Sequence, residues 1–162
     1  MNIKKADSSM ADQIAPLIAD FRTVLDSFRG IDSRPDLKSA LMEYHDFLKS
    51  GYPVFLASED EVPVGYIVCR IESPCLWVEH LFVRKEYRRK GIASSLFTKA
   101  EELAASMGED TVFNYVHPNN DGIINFLRSK GYTVLNLIEI RKAYPNEKLS
   151  DSIRVGNHIF DY

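Results

Sequence analysis

The sequence is short of several things. Of its 162 residues only two are cysteines, Cys69 and Cys75, and they show no Cys-x-x-Cys or Cys/His spacing. That excludes a disulfide scaffold and a zinc module. Each thiol reads as a buried free cysteine before it reads as half of a disulfide. No stretch reaches 18 uninterrupted apolar residues, so no membrane-spanning helix is expected. The start, Met1 to Asp7, lacks the apolar run of a secretory leader. Positive charge is not in excess: 20 Lys and Arg against 23 Asp and Glu give a formal net charge of −3. A nucleic-acid binder working through bulk charge is therefore not expected. Linkers, repeats and low-complexity tracts are missing as well. The expectation is a soluble cytoplasmic protein of one domain, 1–162, with no metal, nucleic-acid or membrane partner. The 45% of hydrophobic residues builds its core without staples.

Periodicity places the elements. Ile3 to Ala6 reads as a first strand, and Asp7, Ser8 and Ser9 as helix caps. Met10, Ile14, Leu17, Ile18, Phe21, Leu25 and Phe28 recur at helical spacing, with a kink or late start expected at Pro16 and an end at Gly30. Ser33-Arg34-Pro35-Asp36 opens a second helix with Pro35 in its first turn and a stripe of Leu37, Leu41, Tyr44 and Leu48, stopped by Gly51. Pro53–Ser58 and Val64–Glu72 read as a hairpin turning at Glu59-Asp60-Glu61, and Ser73-Pro74 breaks the second strand before Leu76–Val83. A helix opens at Gly91, carries Leu96, Ala100, Leu103 and Met107, and closes at Gly108. Thr111–Val116 is a strand, and a helix capped by Asn119 or Asn120 ends at Gly131. Thr133–Arg141 is a β-prone run. Ile153–Val155 and His158–Tyr162 make a last strand that either completes a sheet edge or exchanges with a second subunit. This order, β-α-α-β-β-β-α-β-α-β-β, implies a mixed α+β architecture: a central mixed sheet with helices on both faces.

The most informative stretch is Leu81 to Ala93, where an apolar strand gives way to a basic loop, then a glycine, then an amphipathic helix. That order brings free backbone N–H groups, a positive helix end and several cations together, which suits a phosphate-bearing ligand. Arg88-x-x-Gly91-x-Ala93 resembles the acyl-CoA signature Arg/Gln-x-x-Gly-x-Gly/Ala of the GNAT N-acetyltransferase family. A second resemblance follows at the right distance. Asn120-x-x-Ile123-x-x-x-Leu127-x-x-x-Gly131-Tyr132 has the spacing of the family's Asn-x-x-Ala-x-x-x-Tyr-x-x-x-Gly-Phe. The order of elements fits the same fold along the whole chain.

The resemblance implies an acetyl-CoA-dependent N-acetyltransferase, with acetyl-CoA as co-substrate and an amine as acceptor. Arg88, Arg89, Lys90, Gly91, Ile92, Ala93 and Ser94 are the expected pyrophosphate site. Leu81, Phe82 and Val83 pair with the peptide-like arm, which Asn120 also contacts. The reaction needs a neutral amine, a stabilised oxyanion and a proton for the leaving thiolate, and no covalent enzyme intermediate. Glu79 is the expected base, sharing a strand face with Leu81 and Val83 and opposing His80, unless a β-bulge alters the alternation. His80 and His117 are the alternatives. The family's tyrosine, often the acid, is Leu127 here, so Tyr115 takes that role, and a backbone N–H near Val83 meets the oxyanion. Two other readings stay open: a CoA-binding sensor that lost turnover, and a transferase of a longer acyl chain. A homodimer is compatible with the tail.

Overall fold

In a computed structural model, residues 1–149 and 151–162 are described. They fall into two compact units, Met1–Tyr115 and Val116–Tyr162.

The first unit is built on a five-stranded sheet in the order β1-β2-β3-β4-β5. The strands are β1 (Asn2–Lys5), β2 (Val54–Glu59), β3 (Val62–Glu72), β4 (Cys75–Val83) and β5 (Phe113–Asn114). Neighbours are antiparallel except β4 and β5, which are parallel. Between them come α1 (Ala11–Phe28), α2 (Leu37–Lys49) and α3 (Ile92–Ser106). Asp60 and Glu61 both take positive φ, at 47° and 66°, which closes the β2–β3 hairpin in the handedness that twisted strands favour.

On one face of the sheet, Ile14, Leu17 and Ile18 of α1 and Ala40, Tyr44 and Phe47 of α2 pack on Val54, Leu56, Tyr66, Val68 and Phe82. Each large aliphatic side chain removed from water there contributes about 1.5–3 kcal/mol. The buried stripe of α2 is Ala40–Tyr44–Phe47. The expected one began at Leu37, which is 57% exposed. Pro35 also lies outside that helix, because Asp36 takes the cap position and accepts the Ser39 N–H at 3.1 Å. Pro16 neither delays nor breaks α1, which runs unbroken from Ala11 to Phe28. The residues of opposite parity in β3, Ile67 and Cys69, lie on the other face, and α3 covers it with Ile92, Leu96, Phe97, Ala100 and Ala104 buried.

The second unit holds α4 (Asp121–Ser129), β6 (Ser152–Val155) and β7 (His158–Asp161). Two expectations are corrected here. Thr133–Arg141 is not a strand, and the last segment is a hairpin of two strands forming its own sheet, so it does not complete the edge of the five-stranded one. The apolar side chains of 133–141 explain why the sequence misleads: Val134, Leu135, Leu137 and Ile140 are all exposed, so composition suits a strand that has found no pairing partner. Within Thr111–Val116 only Phe113 and Asn114 are paired.

The four α-helices among the described residues end alike. Gly30, Gly51, Gly108 and Gly131 follow the last helical residues with positive φ, and the next residue returns its N–H to a carbonyl five residues back. This is the left-handed cap that glycine adopts without penalty.

Candidate functional site

Strand β4 changes character along its length. Its first half is paired on both sides: Trp77 and Val78 face Phe113 and Asn114 of β5, and Arg70 and Cys69 of β3. Beyond Val78 the pairing with β5 stops. The pairing with β3 meanwhile skips one residue, since Val78 faces Cys69 and His80 faces Val68. Glu79 is that extra residue, the centre of a β-bulge.

The remainder of β4 pairs only with β3. The Arg84 N–H reaches the Val64 carbonyl at 2.9 Å, so by antiparallel alternation Phe82 also points its main chain at β3 while Leu81 and Val83 point theirs away. The side chain of Phe82 is in the core. The open edge at Leu81 and Val83 therefore carries main-chain donors and acceptors. One of them, the Val83 carbonyl, accepts Arg88 Nε at 2.9 Å.

That contact ties the loop to the end of β4. The chain makes a short 3₁₀ turn at Lys85–Tyr87, passes through Arg89 at φ 65°, and reaches Gly91 at φ 83°. Gly91 is the N-cap of α3. A β-carbon there would meet nothing within 4 Å, so the glycine answers to the left-handed φ and not to crowding. With no side chain to cap, the first-turn N–H groups of Ile92, Ala93 and Ser94 have no intrahelical partner, and no acidic residue sits in that turn. Arg88, Arg89 and Lys90 are exposed around it. Lys90 leans on the Tyr87 ring and lies 3.8 Å from Glu59.

The bulge corrects the expected face of Glu79. Its carboxylate lies 3.1 Å from Arg70 Nε, and Arg70 shares a strand face with Tyr66 and Val68. Tyr66 in turn holds His80. Glu79 and His80 thus project to the same side, toward α1 and α2, away from the α3 face. The Glu79–Arg70 contact is an ion pair without hydrogen-bond alignment. Arg70 also donates to Glu72 at 2.8 Å and sits 5.4 Å from the ring centres of Trp77 and Tyr115. Burial works against its charge, but a hydrogen bond with Tyr115 and the fields of Glu79 and Glu72 outweigh that and raise its pKa. Trp77 and Tyr115 stack on one another at 4.5 Å, 12° from parallel, and Phe113 lies 4.9 Å from Trp77.

His80 is only 3% exposed. Its Nδ1 meets the Tyr66 hydroxyl at 2.9 Å, and its Nε2 lies 3.3 Å from both Glu43 Oε1 and the Arg22 guanidinium. Arg22 binds Glu43 through two nitrogens, Nε at 3.0 Å. The rings of Phe21 and Phe47 enclose the imidazole. Burial, then the nearby Arg22 charge, hold the His80 pKa well below 6.5, so it is neutral and tied at both nitrogens. That suits a structural joint between α1, α2 and β4 and not a base. Cys69 is equally inert: burial raises its thiol to about 12. Both cysteines are free, and among the described residues no metal-binding cluster occurs.

In the second unit, His117 accepts the Asn119 N–H on Nδ1 at 3.1 Å, which leaves the ring proton on Nε2 when neutral. Asn120 caps α4, its side-chain oxygen accepting the Ile123 N–H at 3.2 Å. Leu127 is buried.

Glu79 and Tyr115 are thus brought together, through Arg70 and Trp77. Sequence reading missed Arg70 and Arg22. The available signal was a guanidinium set inside apolar patterns, Val68-Cys69-Arg70-Ile71 in a strand and Phe21-Arg22 in a helix, where a charge persists only when paired.

Comparison with known proteins is concordant. The family model described as "Acetyltransferase (GNAT) family" matches residues 19–132. A probable N-acetyltransferase san from Drosophila melanogaster is 31% identical over 101 residues, covering 59% of this chain and 55% of that protein. The chain therefore spans about half the length of that relative. Among solved structures, a ribosomal-protein-alanine N-acetyltransferase from Brucella melitensis biovar Abortus 2308 superposes with a TM-score of 0.70 at 18% identity, covering 88% of this chain and 100% of that one. AAC(6')-Iy in complex with the bisubstrate analog CoA-S-monomethyl-acetylneamine gives 0.68 at 17%, covering 89% and 98%. These likenesses fix the fold.

Proposed function

This chain belongs to the acetyltransferase (GNAT) family, and we propose that it moves an acetyl group from acetyl-CoA to a primary amine, of a small molecule or a protein, by direct attack. The observation that carries the reading is the open main-chain edge at Leu81 and Val83 leading straight into an uncapped helix start at Gly91. An amide-rich arm pairs with such an edge as an added strand does. A pyrophosphate takes the N–H groups of Ile92, Ala93 and Ser94, with Arg89 and Lys90 beside it and Arg88 holding the loop in place.

In this reading residues 1–162 act as one catalytic domain. The ammonium of the acceptor loses a proton to Glu79. Its nitrogen then attacks the thioester carbon, and the carbonyl oxygen becomes an oxyanion facing the N–H near Val83. The oxyanion collapses back to a carbonyl as the carbon–sulfur bond breaks, the thiolate takes a proton from the Tyr115 hydroxyl, and the second proton of the attacking nitrogen passes through water to restore that hydroxyl. On the second unit, His117 is the alternative base and Asn120 the candidate contact for the cofactor arm. Leu127, buried and apolar, cannot supply the proton, which is the reason for assigning Tyr115.

The same leucine favours a second reading, a CoA-binding sensor without turnover. Measuring thiol release from acetyl-CoA with a panel of primary amines separates the two. Release that depends on amine supports the transferase; binding of acetyl-CoA with no release from any amine supports the sensor.

A further inference from the structure

Around Glu79, charge is almost balanced. The Glu79 and Glu72 carboxylates both face Arg70, and Glu43 is bound by Arg22 and touches His80. Three carboxylates against two guanidinium groups leave one net negative charge. That suits a single ammonium. A polycationic acceptor needs several unpaired carboxylates, and here its further charges would meet guanidinium groups.

Beside Glu79 lies an aromatic shelf. Trp77 and Tyr115 stack in near-parallel fashion where β4 and β5 part, and Tyr115 is 57% exposed. The Arg70 guanidinium lies 5.4 Å from the centre of each ring. A stacked pair with one open face is a platform for a third planar group.

We infer that Arg70, Trp77 and Tyr115 set the acceptor specificity, selecting an amine with one positive charge and a flat or large apolar group beside it. The inference rests on the acetyl-transfer reading and names its substrate class. Arylalkylamines carry this chemistry, and so does a peptide whose first residue is aromatic.

The test is turnover of acetyl-CoA with 2-phenylethylamine, a short peptide beginning with Phe, propylamine, spermidine and kanamycin. The first two should exceed the others in kcat/KM by roughly two- to tenfold, the scale of one stacking contact, and their ratio tells free amine from peptide. Trp77→Leu should raise KM for 2-phenylethylamine roughly two- to tenfold more than KM for propylamine. The wild-type panel decides by itself should that variant fail to bind acetyl-CoA. Preference for spermidine or kanamycin, or equal loss for every acceptor in Trp77→Leu, overturns the inference and leaves acetyl transfer standing. Absence of turnover with every acceptor removes acetyl transfer itself, and the inference with it.

Discussion

Where β4 ends, the candidate contacts are main-chain groups: the edge at Leu81 and Val83 and the first N–H groups of α3. Around Glu79 they are side chains from β3, β4, the residue that follows β5, α1 and α2, held by ion pairs and ring stacking. The first site follows from chain direction and one glycine conformation, so a few neighbouring residues specify it. The second exists only after β3, β4, α1, α2 and the segment after β5 have packed. Family likeness accordingly speaks to the first and leaves the second free to differ in its acceptor.

Substitutions break this contrast in a definite order. Glu79→Gln should lower kcat by roughly 10²–10⁴-fold, the usual worth of a general base, with acetyl-CoA affinity unchanged by calorimetry. Equal loss of affinity would join the two sites into one. Gly91→Ala forces a β-carbon into left-handed φ, at a cost of about 1–2 kcal/mol. It should weaken acetyl-CoA binding while leaving the ratio of kcat/KM between acceptors unchanged. Asp36→Ala removes the α2 cap and should reduce stability in urea by about 1 kcal/mol, without altering the affinity for acetyl-CoA.

The smallest effect is a pH dependence. His80 is held neutral in the fold, below the unfolded value of about 6.5. As pH falls through 6.5 the unfolded chain takes up a proton that the folded one refuses, so its contribution is intact above that pH and declines below it. Urea midpoints should fall between pH 7 and pH 5, with a shallower slope in His80→Gln. An unchanged slope would mean that His80 is not the group responsible.

The same contrast explains what the sequence discloses. Gly30, Gly51, Gly108 and Gly131 mark helix ends because a left-handed cap is a local event, and Gly91 is legible for the same reason. The β-prone composition of 133–141 misleads because strands need partners, and pairing is not local. The bulge that turns Glu79 toward Arg70 is equally silent in alternating hydrophobicity. It is visible only when β3 and β4 are placed in register. Arg70 and Arg22 become meaningful only once Glu79 and Glu43 are found against them.

The most direct test is calorimetry of acetyl-CoA with the native protein and with Ser94→Glu. A glutamate at the third position of a helix is favourable to the helix itself, by about 0.3–1 kcal/mol, yet it places a carboxylate where the pyrophosphate is proposed to sit. The native chain should bind, Ser94→Glu should lose about 100-fold or more in affinity, and its unfolding midpoint should not fall. Native binding that survives Ser94→Glu, or no binding by the native chain, would contradict it.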